Sequence, residues 1–456
     1  MSKPRICVIG AGPSGMSTLF HFAEMEEMPE IVCYEKQRTW MGLWNVSWKT
    51  GLDMNGEPIH TSQYHHMWCN GPYESNQYPD YPFEQHFGQQ TPSFPPRAAM
   101  RDYLEGRFTR AVAHGRNLRD YIHFNTAVRY VKYHDDKDDF TVIVNDYNTG
   151  KTLEETFTHV IVASGIYSFL NLPEFPRMEK FKGRILHSHD FRNAREFSGQ
   201  RVLLIGAGYT GEDLVLQCLK FGAKHVIMAY RTKPKGDTCI MPEGIEERPI
   251  VERFDSTKAY FKDGTSAEID SVILTTGYRN YFPFLEDRFR IPEKTHLHLE
   301  GLYKATLFYK EGNNRLFYIG ALNQFNSFIY FEVMASWTCR YIVGQLADEP
   351  KGKKEMQADS EKWIKQANAV TSESQALHFQ TELIAHLAEV TGYQSNIEKN
   401  EEVFNKMIKD KEEGFGLAKY RDRCYECIYT GTIDLKQNTP FMLNYDDSIE
   451  AFLKCK

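Results

Sequence analysis

The sequence predicts an α/β protein with two Rossmann-like dinucleotide-binding domains, the smaller inserted into the larger. Three observations carry this. Apolar runs at residues 5–9 and 201–205 each lead straight into a glycine fingerprint, Gly10-Ala11-Gly12-Pro13-Ser14-Gly15 and Gly206-Ala207-Gly208-Tyr209-Thr210-Gly211. The fingerprints stand about two hundred residues apart, so one chain carries two nucleotide pockets. Further apolar runs at residues 272–274 and 316–319 bring the chain back to the first domain after the second.

At 456 residues the chain has room for two or three domains. Its 41% hydrophobic and 25% charged content is ordinary for a globular protein. A net charge of -7 without a basic block argues against a nucleic-acid partner. No apolar run approaches the length of a membrane helix, and residues 1–4 leave no room for a signal peptide. A soluble, cytoplasmic protein away from the membrane is expected. Nine scattered cysteines read as reduced thiols. Cys424 and Cys427 form a lone CxxC with no second ligand pair. His65 and His66, read as lying on opposite faces of a strand, make no metal site, so no metal is expected.

In the first domain, residues 5–9 read as a buried parallel strand. Gly10 permits the tight turn, Gly12 lets backbone N–H groups approach a pyrophosphate, and Gly15 lets the next helix pack on the strand. Ser14 opens that helix, residues 14–25, whose N-terminal dipole faces the phosphates. The second strand, residues 30–34, ends at Glu35, twenty residues after Gly15, where an acid accepts free ribose hydroxyls. Such an acid rejects a 2′-phosphate, so the first ligand is FAD or NAD. Residues 97–113 read as a helix, and residues 121–133 and 140–147 as antiparallel strands inserted in this domain.

In the second domain the strand at residues 225–229 leads to Arg231 and Thr232. Gly10 to Glu35 is 25 residues and Gly206 to Arg231 is also 25, so a guanidinium takes the place of the acid. Arginine there grips a phosphate through two parallel N–H bonds, which makes the second ligand NADPH. The plainer alternative is a solvated arginine at a strand end. Gly206, Gly208, Tyr209, Thr210 and Gly211 complete this site. Together the two units specify the FAD/NAD(P)-binding fold. The larger FAD domain covers residues 1–168 and 280–456, ending in a helical region, and the smaller inserted NADPH domain covers residues 169–279.

Between the fingerprints, Phe181, Gly183, His187 and Phe191 fit the spacing F-x-G-x-x-x-H-x-x-x-F. That spacing resembles the identifying motif of class B flavin-containing monooxygenases, and the resemblance runs over most of the chain. It implies that Leu43 and Trp44 lie along the flavin, although Met41 stands where the family has a glycine. It implies further FAD contacts from His60 and Gln324. It places Asn70, within Trp68-Cys69-Asn70-Gly71-Pro72, beside the flavin and the nicotinamide as the catalytic residue. Asn-Gly-Pro is also turn chemistry in its own right.

The implied activity is oxygenation with NADPH and O₂, in which a flavin C4a-hydroperoxide passes one oxygen to a soft nucleophile. Phe191-Arg192 stands where Baeyer–Villiger relatives carry Trp followed by Pro or Asp, which favours attack on a heteroatom. The chain looks most like two groups, the bacterial trimethylamine monooxygenases and the soluble insect N-oxygenases of pyrrolizidine alkaloids. Tyr209 matches one residue of the bacterial aromatic cage, but Phe325 and Ser327 stand where Trp and Thr are expected. A roomier cage fits a bulkier molecule, so a tertiary amine of the alkaloid type is the expected substrate. Trimethylamine or another small amine or sulfide is the alternative, and Baeyer–Villiger oxidation a remote one. Relatives form dimers or tetramers, so a homo-oligomer is expected. A disulfide reductase of the same architecture would need a CxxC near the flavin, and an inactive FAD-binding protein would have no use for Arg231.

Overall fold

The computed structural model describes residues 3–231, 240–350, 352–433 and 439–454. In the first unit, β1 (Arg5–Ile9) runs into α1 (Pro13–Ala23) and back to β2 (Glu30–Tyr34). The strands pair in parallel from Arg5↔Glu30 to Ile9↔Tyr34. Pro13 heads α1, where its missing N–H would have had no helical partner. The helix α2 (Arg97–Arg110) is followed by an antiparallel sheet of β3 (Thr126–His134), β4 (Asp139–Asp146) and β5 (Lys151–Phe157). The third of these strands is absent from the sequence reading. Its residues are mostly exposed and polar, so it carries no apolar alternation. The strand β6 (His159–Val162) then pairs with β1.

The second unit contains β7 (Arg184–His187), β8 (Arg201–Ile205), α3 (Tyr209–Lys220), β9 (His225–Tyr230), β10 (Ile245–Pro249) and β11 (Ser271–Leu274). These five strands form one parallel sheet in the order β7-β11-β8-β9-β10, and residues 251–268 add a small antiparallel sheet of three strands. The two passages between the units pair with each other, Phe169↔Arg279 and Leu170↔Tyr278. Afterwards β12 (Leu316–Tyr318) joins β6, which gives the first sheet the parallel centre β12-β6-β1-β2. Four long helices follow, α4 (Ser327–Ile342), α5 (Lys353–Ala369), α6 (Glu373–Thr391) and α7 (Ile397–Glu413), and then two short ones, Gly416–Lys419 and Ile449–Lys454. Both units are the expected Rossmann-like α/β layers. Among the described residues no helix is long and apolar enough to cross a membrane.

The motif that spans the two units acts as a clasp on the paired passages. His187 donates from Nε2 to the Gly277 carbonyl at 3.1 Å and accepts the His189 N–H at Nδ1 at 3.1 Å. Burial pushes its pKa down to about 4, so the ring stays neutral and can do both. A Cβ on Gly183 would lie 2.3 Å from the Asp270 carbonyl oxygen, which excludes any other residue. Phe191 stacks on Phe197 at 5.6 Å.

Three helices of the first unit meet at a buried charge cluster. Glu332 on α4 is fully buried, with Arg107 of α2 at 3.0 Å and His21 of α1 at 3.1 Å. Burial alone would raise the Glu332 carboxyl, but Arg107 and His21 outweigh it and hold the pKa at about 2. A depressed carboxyl stabilises the fold above its unfolded pKa of 4.5 and loses that contribution as the pH falls towards 2. Glu332→Gln is expected to cost about 3–5 kcal/mol by leaving Arg107 buried beside one remaining partner, Asp80. Urea unfolding at neutral pH should read this cost, and the difference from wild type should shrink as the pH falls below 4.5.

Candidate active site

The first fingerprint is held open by its glycines. Gly10 has φ +103°, and a Cβ there would meet the Ala163 carbonyl oxygen at 2.7 Å. A Cβ on Gly15 would fall 1.9 Å from the Gly10 carbonyl oxygen. Gly12 faces Gly42 across the crevice, and a Cβ on Gly42 would lie 3.0 Å from the Gly12 Cα. Met41, at the family's glycine position, adopts the left-handed conformation itself (φ 80°) and donates its N–H to Ala11 at 2.9 Å. The departure therefore keeps the backbone path at a modest local strain. Leu43 and Trp44 follow in the same short turn, and Trp44 packs on Phe328 at 6.0 Å.

Glu35 lies directly beyond β2, buried, and accepts the N–H groups of Ala11 at 2.7 Å and Gln37 at 2.8 Å. Burial pushes its carboxyl up, and the two amides oppose that only in part. His60 Nε2 would stand 3.8 Å from a Cβ on Gly42, and its Nδ1 is 3.2 Å from the Ser168 hydroxyl. Burial, with Lys36 and His189 adding to it, lowers its pKa to about 3, so the ring is neutral. Ser14 donates to the Ala163 carbonyl at 3.3 Å, and its Cβ would be 3.6 Å from a Cβ on Gly320, which brings the loop after β12 over the head of α1. Gln324, on that loop, keeps a buried side-chain oxygen without a hydrogen-bond partner. The crevice thus has no side chain at its floor, a carboxylate at the strand end and an unsatisfied amide at its rim. These features fit a dinucleotide.

The second fingerprint repeats the geometry. Gly206 has φ +123°, and Cβ atoms on Gly206 and Gly211 would meet backbone oxygens at 2.4 and 2.3 Å. A Cβ on Gly208 would meet nothing within 4 Å, so this is the open face. Tyr209 and Thr210 begin α3. Glu212 and Asp213 sit in the first turns of α3, where two bare carboxylates would cancel the field that a phosphate needs. Lys411 pairs with Glu212 at 2.8 Å and Arg421 with Asp213 at 2.9 Å, which restores it.

The structure shifts one expected equivalence by a residue. Ile9 pairs with Tyr34, but Ile205 pairs with Ala229. The residue that corresponds to Glu35 is therefore Tyr230, and Arg231 is the next one along. Equal spacing in sequence concealed a connection shorter by one residue. The acid's position still holds no carboxylate, and Arg231 stands exposed at the strand end, with no ion-pair partner among the described residues. Thr232 lies outside the described residues.

Asn70 lies in the turn before Pro72 with its side chain exposed. Its carbonyl accepts the Tyr420 hydroxyl at 3.5 Å, and the Arg421 guanidinium donates to the Cys69 carbonyl at 3.1 Å. His65 and His66 sit in a turn, with His66 at φ 62°, rather than alternating along a strand. A ring atom of Phe404 would be 3.2 Å from a Cβ on Gly71, and Phe404 meets Phe325 edge to face at 5.7 Å. Tyr209 and Phe325 line one cavity of about 300 Å³ with Ala207 and Gly208 of the second fingerprint and with Glu212, Glu373 and Lys411. Ser327 starts α4 behind Phe325 and is not part of that lining. Phe404, Glu373 and Lys411 were missed from the sequence. They come from the C-terminal helices, whose amphipathic spacing reads as packing and gives no sign of which residues face the crevice.

The family described as FMO-like, flavin-binding monooxygenase-like, matches residues 3–234 and 234–418. The chain belongs to the flavin-binding monooxygenases. As a member it uses FAD and NADPH. This monooxygenase is 40% identical to trimethylamine monooxygenase from Roseovarius sp. (strain 217), over the whole of both chains. It is 30% identical to senecionine N-oxygenase from Tyria jacobaeae, over 62% of this chain and 60% of that one. The crystal structure of Tmm from Pelagibacter sp. strain HTCC7211 superimposes with a TM-score of 0.92 at 37% identity, covering 98% of this chain and all of the other.

Proposed function

We propose that this monooxygenase N-oxygenates small tertiary amines, with trimethylamine as its substrate. The observation that carries the reading is the full-length similarity to trimethylamine monooxygenases, against a partial one to an alkaloid N-oxygenase. It favours the small amine over the bulkier alkaloid expected from Phe325 and Ser327 standing in for Trp and Thr. Phe404 packs edge-on against Phe325.

In this reading the bound flavin supplies the oxygen-activating chemistry. The protein holds and orients. Amides of the first fingerprint take the FAD pyrophosphate, and Glu35 accepts its ribose hydroxyls. The amides beside Gly208 take the NADPH pyrophosphate, and Arg231 takes its 2′-phosphate. The neutral Asn70 amide hydrogen-bonds at the reacting centre without offering an acidic proton. Leu43, Trp44, His60 and Gln324 close the crevice around the ring.

The test is to follow NADPH consumption, N-oxide and H₂O₂ together with trimethylamine and with a pyrrolizidine alkaloid. N-oxide from trimethylamine in step with NADPH is expected. Fast conversion of the alkaloid with little from trimethylamine would overturn the reading.

A further inference from the structure

The turn that carries Asn70 is gripped from the far end of the chain. Tyr420 and Arg421 are successive residues, and each holds one of two successive carbonyls of the turn. The Tyr420 hydroxyl donates to the Asn70 carbonyl at 3.5 Å, and Arg421 Nε donates to the Cys69 carbonyl at 3.1 Å. The Cys69 N–H donates to the Pro95 carbonyl at 2.9 Å, so the turn has a separate anchor in its own unit. The exposed Asn70 side chain makes no hydrogen bond among the described residues. The backbone of the turn therefore decides where its amide stands.

Arg421 also reaches the other unit. Its Nη2 lies 2.9 Å from Oδ1 of Asp213, which stands in α3 two residues after Gly211. Both side chains are buried. The second oxygen of Asp213 accepts the Tyr64 hydroxyl, from the stretch that leads into the Asn70 turn. Burial works against the charge of Arg421, but its neighbours, Tyr420 and Asp213 among them, outweigh it, so the guanidinium stays charged.

Neutralising Asp213 needs only a cation, and a lysine would serve. A guanidinium does more. Its planar fork places one N–H on a backbone carbonyl and another on a carboxylate, and so fixes the spacing between the two. We propose that Arg421 is a positioning residue for oxygen transfer: by tying Cys69 to Asp213 it holds the Asn70 turn in register with the head of α3, and so with the nucleotide bound there. The proposal rests on the reading of Asn70 given above and adds the residue that sets its place.

The test is Arg421→Lys. Lysine keeps a positive charge beside Asp213 but, as a point charge, cannot also span to the Cys69 carbonyl in one rigid plane. N-oxide formed per NADPH consumed is measured with trimethylamine, and NADP⁺ affinity is read from the flavin absorbance of the oxidised enzyme. The yield per NADPH is expected to fall about tenfold, since misplacement by about 1 Å can cost about 100-fold, while the Kd for NADP⁺ changes less than about threefold. A fall in yield of less than about threefold makes Arg421 a structural ion pair, and a Kd raised more than about threefold moves its role to nucleotide binding; either overturns the proposal. Wild type and Asn70→Leu are read alongside. No N-oxide from the wild type, or a retained yield in Asn70→Leu, sinks the parent reading and this proposal with it. A low yield in Asn70→Leu beside a normal one in Arg421→Lys sinks this proposal alone. Should Arg421→Lys lose FAD, the double variant Asp213→Asn, Arg421→Gln, which buries no unpaired charge, is judged by the same two measurements. Loss of FAD there too makes Arg421 part of the fold and refutes the positioning role.

Discussion

Asn70→Leu is expected to abolish N-oxide formation while leaving FAD bound. Removing one positioned hydrogen-bonding group from a reacting centre costs roughly 100- to 1,000-fold in turnover. The fold should tolerate the change. The Asn70 side chain is exposed and makes no hydrogen bond among the described residues. The Tyr420 contact uses the Asn70 carbonyl, which leucine retains. The turn is set by Gly71 and Pro72, which remain in place. NADPH should still be consumed, but its electrons should appear as H₂O₂ instead of N-oxide. Flavin absorbance reports cofactor retention, and product analysis reports the coupling. An N-oxide yield close to wild type would remove Asn70 from the chemistry.

Much of this arrangement is legible in the sequence because it is local. Arg5–Ile9, Glu30–Tyr34 and Arg201–Ile205 coincide with apolar runs, since a strand buried on both faces has no polar positions to interrupt it. Gly15 is read as the glycine that lets the helix pack on the strand, and a Cβ there would fall 1.9 Å from the Gly10 carbonyl oxygen. The cavity at the second fingerprint is legible only in part. Tyr209 and Phe325 are found through the resemblance, but Glu373 and Lys411 reach the cavity by tertiary packing of helices far along the chain. Charged residues at helical spacing look the same whether they face solvent or a crevice. Ser327, which the resemblance puts in the substrate pocket, starts α4 and is not among the residues that line this cavity.

Arg231→Ala is expected to raise the KM for NADPH roughly 10- to 150-fold, the loss that follows from about 1.5–3 kcal/mol of charge-assisted hydrogen bonding. NADH should be affected far less, because it has no 2′-phosphate to lose. The one-residue shift of Arg231 relative to Glu35 sharpens the expectation. Tyr230 stands at the position equivalent to the acid, and its hydroxyl donates to Glu247 at 2.8 Å. The strand end therefore directs its tyrosine to a partner on the neighbouring strand and leaves the next side chain, Arg231, free of ion pairs among the described residues. An exposed guanidinium without an ion-pair partner among the described residues turns towards a phosphate at little cost, and its loss should not unsettle β9. Steady-state kinetics with both nucleotides, at fixed trimethylamine and O₂, separates the cases. Equal increases in the KM of NADPH and NADH would mean that Arg231 supports the strand end or the common adenosine moiety, and that the 2′-phosphate is recognised elsewhere. A selective increase for NADPH would place that recognition on Arg231, one residue beyond the position that strand pairing makes equivalent to Glu35.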